Sequence, residues 1–321
     1  VINMGNTTAI KTNRVYGARG VGAENSNVNS NFQGLPNTLS NGQFFNSDVS
    51  TKWADRDFWK SIGYDVLVKT SYVLDKDGNP VVQTIEDVVA AKTNAKESLL
   101  KQVLNNFVDT ACFGVVMALK KKNISTTGPI QYNIGVNKLE DCTDVKVHDI
   151  LSPYKNSNKK AEDASRATIG KSSFIERALY VQGFSVCPEQ ANSLVELVND
   201  EEFKGFKEEY YLAFKKATLC SITRLNSRAK IGARDEFAIF INMKEDSYYA
   251  LPNIASLIEA RLDEEGNKSI VNFDNLAFLN NLDDVDSIEI YYNGAVCDIE
   301  HSFTNAYIWD TTKGFKLREE V

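Results

Sequence analysis

Lys52, Arg56 and Lys60 recur at i, i+4 and i+8. On a helix all three fall within an arc of about 80° on one face, with Trp53 and Trp59 off it. A row of fixed cations neutralises phosphates; it has no nucleophile or general base to do covalent chemistry with. A second basic region spans residues 150–173, where Lys155, Lys159, Lys160, Arg166 and Lys171 stand against Glu162 and Asp163. A third, residues 210–234, carries Lys215, Lys216, Arg224, Arg228, Lys230 and Arg234 with no acid. The linker 120–128 begins Lys-Lys-Lys and lies between the apolar runs 112–119 and 129–134, so it reads as a lysine-tipped hairpin beside a long basic arm.

Residues that usually do catalysis are scarce. His148 and His301 are the two histidines, and no H-x-x-x-H or H-E-x-x-H spacing occurs, which removes the commonest metal ligand and the commonest general base together. The five cysteines, Cys112, Cys142, Cys187, Cys220 and Cys297, form no C-x-x-C pair, so they are expected to be reduced and buried or half-buried. Gly170-Lys171-Ser172 ends like a phosphate-binding loop, but Ser165 stands where its first glycine belongs, and the polar run 156–163 replaces the strand before it. Gly17, Gly20 and Gly22 read G-x-x-G-x-G, the wrong order for a dinucleotide fingerprint, and a polar loop follows instead of a helix. Asp283-Asp284 reads as a solvated pair and Asp48 as a helix cap. No metal or cofactor is expected.

The net charge of −7 argues at first against a nucleic-acid binder. Its distribution argues otherwise. Residues 235–300 carry three bases against fifteen acids, a net of −12, so the rest of the chain is net basic. This segregation suits a protein with one face toward phosphate and another toward protein or solvent, or else a set of solvated faces. At 321 residues and 43% hydrophobic the chain can bury one large core with an insertion, or two modest ones. No apolar run approaches the ~20 residues that span a bilayer, and Val1-Ile2-Asn3-Met4 opens no leader pattern. The expectation is a cytoplasmic protein that makes no membrane contact.

Residues 14–22 read as a strand broken by glycines. Asn25, Asn27, Asn29, Asn31, Asn37, Asn41 and Asn46 then make a polar loop that is either nucleic-acid-facing or a disordered insertion. Ser47-Asp48 caps a helix through Lys60. Residues 64–74 alternate as a strand and turn at 75–80. Helical spacing marks 98–107, 188–198 and 203–222; strands are expected at 174–186, 235–241 and 287–292. Strand, helix, strand, strand, helix, strand is the order of a ferredoxin-like or RNA-recognition-type (RRM) α+β domain elaborated by insertions.

Several segments together carry a family resemblance: Arg14-Val15-Tyr16-Gly17, Asn46-Ser47-Asp48-Val49 with Lys52 and Arg56, Phe113-Gly114, the run Ser125-Thr126-Thr127-Gly128-Pro129-Ile130-Gln131, and Thr168-Ile169-Gly170. In their order and spacing the chain resembles the Cas-seven backbone subunit of type I CRISPR Cascade, in its I-B branch, within the RAMP (repeat-associated RNA-binding) superfamily. The resemblance implies a modified RRM palm at residues 1–137 and 174–321, with a thumb inserted at 138–173. It implies a subunit without enzymatic activity that stacks with other copies of itself along guide RNA (crRNA), beside other Cascade subunits, so that the guide pairs with a target DNA strand in antiviral defence. Palm contacts to guide phosphates carry over onto Ser47, Lys52 and Arg56, to which Arg19 is added. Lys155, Lys159, Lys160, Arg166 and Lys171 would reach RNA or the neighbouring subunit from the thumb, an arm expected to order only in the assembly. The acidic half would supply subunit contacts.

The chain departs from the family in the loop after the first strand, where the Asn-rich stretch replaces a Gly-Asn-Pro-Asn-Gly-Asp type sequence. RNA-cleaving relatives use an aspartate there, whereas residues 23–47 hold only Glu24. The rival expectation is a metal-dependent endoribonuclease of the same superfamily; a third is a protein-interaction module whose basic arm binds acidic partners.

Overall fold

The computed structural model describes residues 9–94, 98–118, 123–140, 144–155, 166–201 and 203–320. The chain enters its main sheet as β1 (Val15–Ser26), which the glycines do not break. A Cβ on Gly17 would lie 2.4 Å from the Phe184 ring and one on Gly20 2.1 Å from the Phe237 ring, so each glycine admits an aromatic ring to one face of the sheet. β2 (Phe45–Asn46) and α1 (Asp48–Ser61) follow. The helix begins as its sequence demands: Ser47 Oγ accepts the Ser50 amide at 3.2 Å, with Asp48 in the first turn and Lys60 in the last complementing the helix dipole.

The strand expected at 64–74 shrinks to β3 (Tyr72–Leu74), paired with β4 (Pro80–Val82) across a turn at Gly78. Leu67 and Val68 stay out of it because both amides donate to the buried Asp109 carboxylate at 2.9 Å. α2 (Ile85–Lys92), α3 (Leu99–Asn106) and α4 (Val108–Phe113) come next, α3 burying Val103 and Leu104 as its periodicity predicts. The apolar run 112–119 divides, since Cys112 and Phe113 close α4 and β5 (Gly114–Ala118) starts after them. Its hairpin partner is β6 (Asn123–Thr127), read from the sequence as linker, where Ile124, Thr126 and Thr127 supply β-branched residues. Lys120, Lys121 and Lys122 lie outside the described residues, as does Cys142.

β7 (Ile130–Tyr132), β8 (Gly135–Asn137) and β9 (Val145–Lys155) lead into β10 (Arg166–Val186), a 21-residue strand that runs unbroken from the arm into the middle of the sheet. α5 (Glu189–Val198) precedes α6 (Glu208–Cys220). The latter was expected from Phe203, but Gly205 takes φ +123°, which holds the chain out of the helix until Glu208. The rest is β11 (Ala233–Met243), α7 (Ile254–Leu257), β12 (Glu259–Leu262), β13 (Ser269–Asn272), β14 (Val285–Tyr292), β15 (Cys297–Glu300) and β16 (Ala306–Asp310).

Among the described residues the main sheet has nine strands, in the order β16-β14-β11-β1-β10-β8-β2, with β7 and β9 also on β10. β11, β1, β10 and β7 are antiparallel neighbours, while β14 and β16 run parallel. One face is covered by α1, α4 and α6 over Trp59, Phe113, Phe184, Phe214 and Phe240. α7 and the separate β12-β13-β15 sheet cover the other, over Phe237, Ile239, Val271 and Phe273. This is an α+β fold. Cys112 and Cys297 are buried and Cys187 and Cys220 half-buried, all as free thiols. No helix among the described residues is long and apolar enough to cross a membrane.

Candidate nucleic-acid interface

α1 presents the cationic row, with its members in different states. Lys60 is exposed, and Lys52 and Arg56 are half-buried. Lys52 Nζ lies 3.1 Å from Asp48 Oδ2, a pair one helical turn apart, and 5.5 Å from the centroid of Phe113. Arg56 sits over the same ring at 5.3 Å, and its Nε donates to Asp109 at 2.9 Å. Phe113, the last residue of α4, is therefore a floor that holds both cations, a role invisible to the spacing on α1 alone. Trp59 packs against the same Phe113 ring, with centroids 5.3 Å apart, and is fully buried, its indole N–H donating to the Ala213 carbonyl at 2.9 Å and fixing α1 on α6.

Arg19 must be removed from the RNA-facing set. Its side chain is wholly inaccessible, paired with Asp55 of α1 at 3.0 Å and with Asp235 of β11, and it donates to Ser221 at 3.1 Å. Burial works against its charge, but the facing Asp235 and Asp55 carboxylates raise its pKa above the ordinary value. Alternation along β1 places residue 19 on the same sheet face as Gly17, under the helices, so the guanidinium ties α1 to the sheet and to the end of α6. Tyr132 completes the network by donating to Asp55 at 2.9 Å.

The Asn-rich segment is an ordered loop built on its own amides. Asn27 Nδ2 donates to Ser173 Oγ at 3.0 Å, and that hydroxyl donates to the Gly34 carbonyl, so the loop is tied to β10 where β9 and β10 leave the sheet. Ser50 of α1 donates to the Val28 carbonyl at 3.1 Å. Lys230 Nζ donates to the carbonyls of Asn27, at 2.8 Å, and Val28; burial lowers its pKa to about 8. The Asn-rich loop, the first turn of α1 that follows it in the chain and the distant root of the β9–β10 hairpin are thus joined by hydrogen bonds. The asparagine content was the sequence signal for this loop; Asn27, Ser173 and Lys230 as its anchors had none, because their pairing spans more than 140 residues.

Lys171 is exposed at the hairpin root, opposite Asp149. The backbones of Lys155 and Arg166 pair in register at the far end of the hairpin. Lys159 and Lys160 lie outside the described residues. The third basic stretch divides: Lys215 is fully buried between Glu289, at 2.7 Å, and Glu319, at 2.6 Å, while Lys216 pairs with Glu320 and Arg234 with Glu24, whereas Arg224 and Arg228 are exposed and Arg228 meets His148 of β9. The acidic half is likewise only partly available to neighbours, since Asp235 is buried against Arg19, Glu236 against Arg234 and Glu289 against Lys215.

Comparison with known proteins agrees with this architecture. A chain from a CRISPR RNA-guided surveillance complex, pre-nicking, superposes with a TM-score of 0.51 at 14% identity, over 92% of this chain and 96% of that one. A second, from a CRISPR RNA-guided surveillance complex, gives 0.44 at 14% identity, over 90% and 95%. No curated protein sequence matches the chain. The model of the family CRISPR-associated protein Cas7 matches residues 13–279, most of the length, and the chain belongs to the Cas7 family.

Proposed function

We infer that this protein is the crRNA-binding backbone subunit of a CRISPR surveillance complex of the Cascade type. The observation that carries this reading beyond family membership is that α1, the Asn-rich loop and the hairpin root are tied together by hydrogen bonds, with Asn31, Gln33, Lys60 and Lys171 exposed on them. Backbone charge and amide hydrogen bonds grip RNA without reading its bases, which is what a subunit needs when sequence is read by guide–target pairing. In this reading β11-β1-β10-β7 is the RRM-like palm, because its antiparallel order is that of a split βαβ domain. β9 and the outer half of β10 are the thumb. Ser47, Lys52, Arg56 and Lys171, with Lys155, Lys159, Lys160 and Arg166 of the arm, contact the guide; further copies stack on the exposed acidic surface, and the target DNA strand pairs with the guide they hold. Purification from cells expressing the whole operon should yield protein with a nuclease-resistant RNA of defined length; recovery of RNA-free protein would end this reading.

The subunit acts by binding, without cleaving. Glu24, the acid nearest the loop, is held by Arg234 at 2.9 Å and Arg177 at 3.1 Å, and the Arg234 hydrogen bond lowers its pKa. Among the described residues no three His, Cys, Asp or Glu side chains converge as a metal site. Labelled guide and target strands should stay intact with magnesium or manganese; cleavage lost in Glu24→Gln would establish the endoribonuclease instead.

A further inference from the structure

Phe32 is the most exposed large apolar side chain of the described residues, with a relative accessibility of 111%. It does not hang on a slack loop. Asn31 Oδ1 accepts the amides of Gln33 at 2.9 Å and Leu35 at 3.1 Å, the Asn31 amide donates to the Leu35 carbonyl at 2.8 Å, and Ser30 bridges Pro36. Gly34 turns the tip with φ +79°, a conformation that other residues adopt at a cost. The Ser173 hydroxyl holds the Gly34 carbonyl, which fixes the tip beside the strand that carries Lys171. A phenyl ring held rigidly in water forfeits its hydrophobic stabilisation unless something covers it.

We propose that Phe32 is a stacking platform for one nucleobase of the bound RNA at each copy of the subunit. The inference rests on the RNA-binding reading above and adds a contact to it. The ring's neighbours decide between a base and a protein pocket. Ser30, Asn31 and Gln33 are exposed, polar and uncharged, and no other large apolar side chain of this loop is exposed, so the ring stands alone, without the cluster of apolar neighbours that makes the core of a protein–protein contact. A base fits: its π face stacks on the ring, its edges and ribose meet the amides and hydroxyl, and Lys171 on the adjoining strand meets the phosphate. Every base has a π face, so the contact tolerates any guide sequence.

The test uses the full-length protein and single-stranded RNA, either intact, carrying 2-aminopurine, or carrying abasic sites. Phe32→Ala should weaken binding of intact RNA roughly 5- to 150-fold, the range for losing a stacked base, without changing the salt slope. Phe32→Trp should restore it, 2-aminopurine fluorescence should be quenched by the native protein and not by Phe32→Ala, and abasic RNA should bind both equally. Equal binding of intact RNA by the two proteins, with no difference in quenching, overturns the stacking role while leaving RNA binding in place. A Phe32→Ala protein that binds RNA normally but no longer forms larger assemblies overturns it too, because the ring then seats in a second copy. Failure of the native protein to bind RNA at all overturns the reading beneath it.

Discussion

Lys215 and Lys171 both belong to basic stretches, residues 210–234 and 150–173, yet the fold gives the two lysines opposite surroundings. In the first, Lys215 is sealed between Glu289 and Glu319 under aromatic rings, Lys216 and Arg234 meet acids from elsewhere in the chain, and Arg224 lies 5.6 Å over Phe58. In the second, Lys171 projects into solvent from an extended hairpin. The difference lies in the partner elements. α6 faces the sheet, and β11, β14 and the chain's end bring carboxylates to its buried side, whereas the hairpin leaves the sheet, and Lys171, paired in register with Asp149, stays exposed at its root. Formal charge per segment is therefore a poor guide to surface potential: the acid-rich and base-rich segments partly neutralise each other inside the molecule.

The largest effect should come from breaking the buried side of this contrast. Lys215→Met leaves Glu289 buried with only Tyr291 and Asn242 as donors, and loss of one partner from a buried pair costs about 3–5 kcal/mol. Urea denaturation reads this directly, and a loss below about 1 kcal/mol would mean that Lys215 is no more embedded than a surface lysine. Lys171→Ala should by comparison change stability by less than about 0.5 kcal/mol.

Of intermediate size is the effect on RNA affinity. Lys52→Ala and Lys171→Ala should each weaken binding evenly across RNA sequences and reduce the slope of log affinity against log salt by about one unit. Arg56→Ala is a less clean probe, since it also takes the cation from the buried Asp109, leaving it the Leu67 and Val68 amides. An unchanged slope for Lys52→Ala in a filter-binding titration would make the α1 row a solvated helix face.

The smallest expected effect concerns Lys230, which belongs to the basic stretch but anchors the loop of the proposed site. Its folded pKa is about 8 against an ordinary 10.5. Below pH 8 both folded and unfolded chains carry the proton, and the burial penalty is fully present. Between pH 8 and 10.5 the unfolded chain holds a proton that the folded one has released, so stability rises with pH across that window. The gain should be on the order of 1 kcal/mol at this half-buried site, and should vanish in Lys230→Met. A pH profile common to both proteins would show that the carbonyls of Asn27 and Val28 hold the ammonium without strain.

What the sequence determined by itself is local or periodic. The Ser47 cap and the length of α1, the periodic face of α3, the turn at 75–80 and the core strands all follow from propensities and patterns acting over a few residues. The absence of catalytic spacing and the family motifs are read the same way. Tertiary structure alone decided how side chains are partnered. Arg19 looks like a free cation in a glycine-rich strand, and only the register that seats it under α1 and beside β11 turns it into a buried tie. The same holds for Phe113 under Lys52 and Arg56, and for Asn27 meeting Ser173. An ion pair or a packed ring depends on distances between segments far apart in the chain, and no local pattern encodes those distances; the Asn-rich loop shows a composition that permits polar contacts, while the hydrogen bonds to β10 and α1 fix where that loop sits.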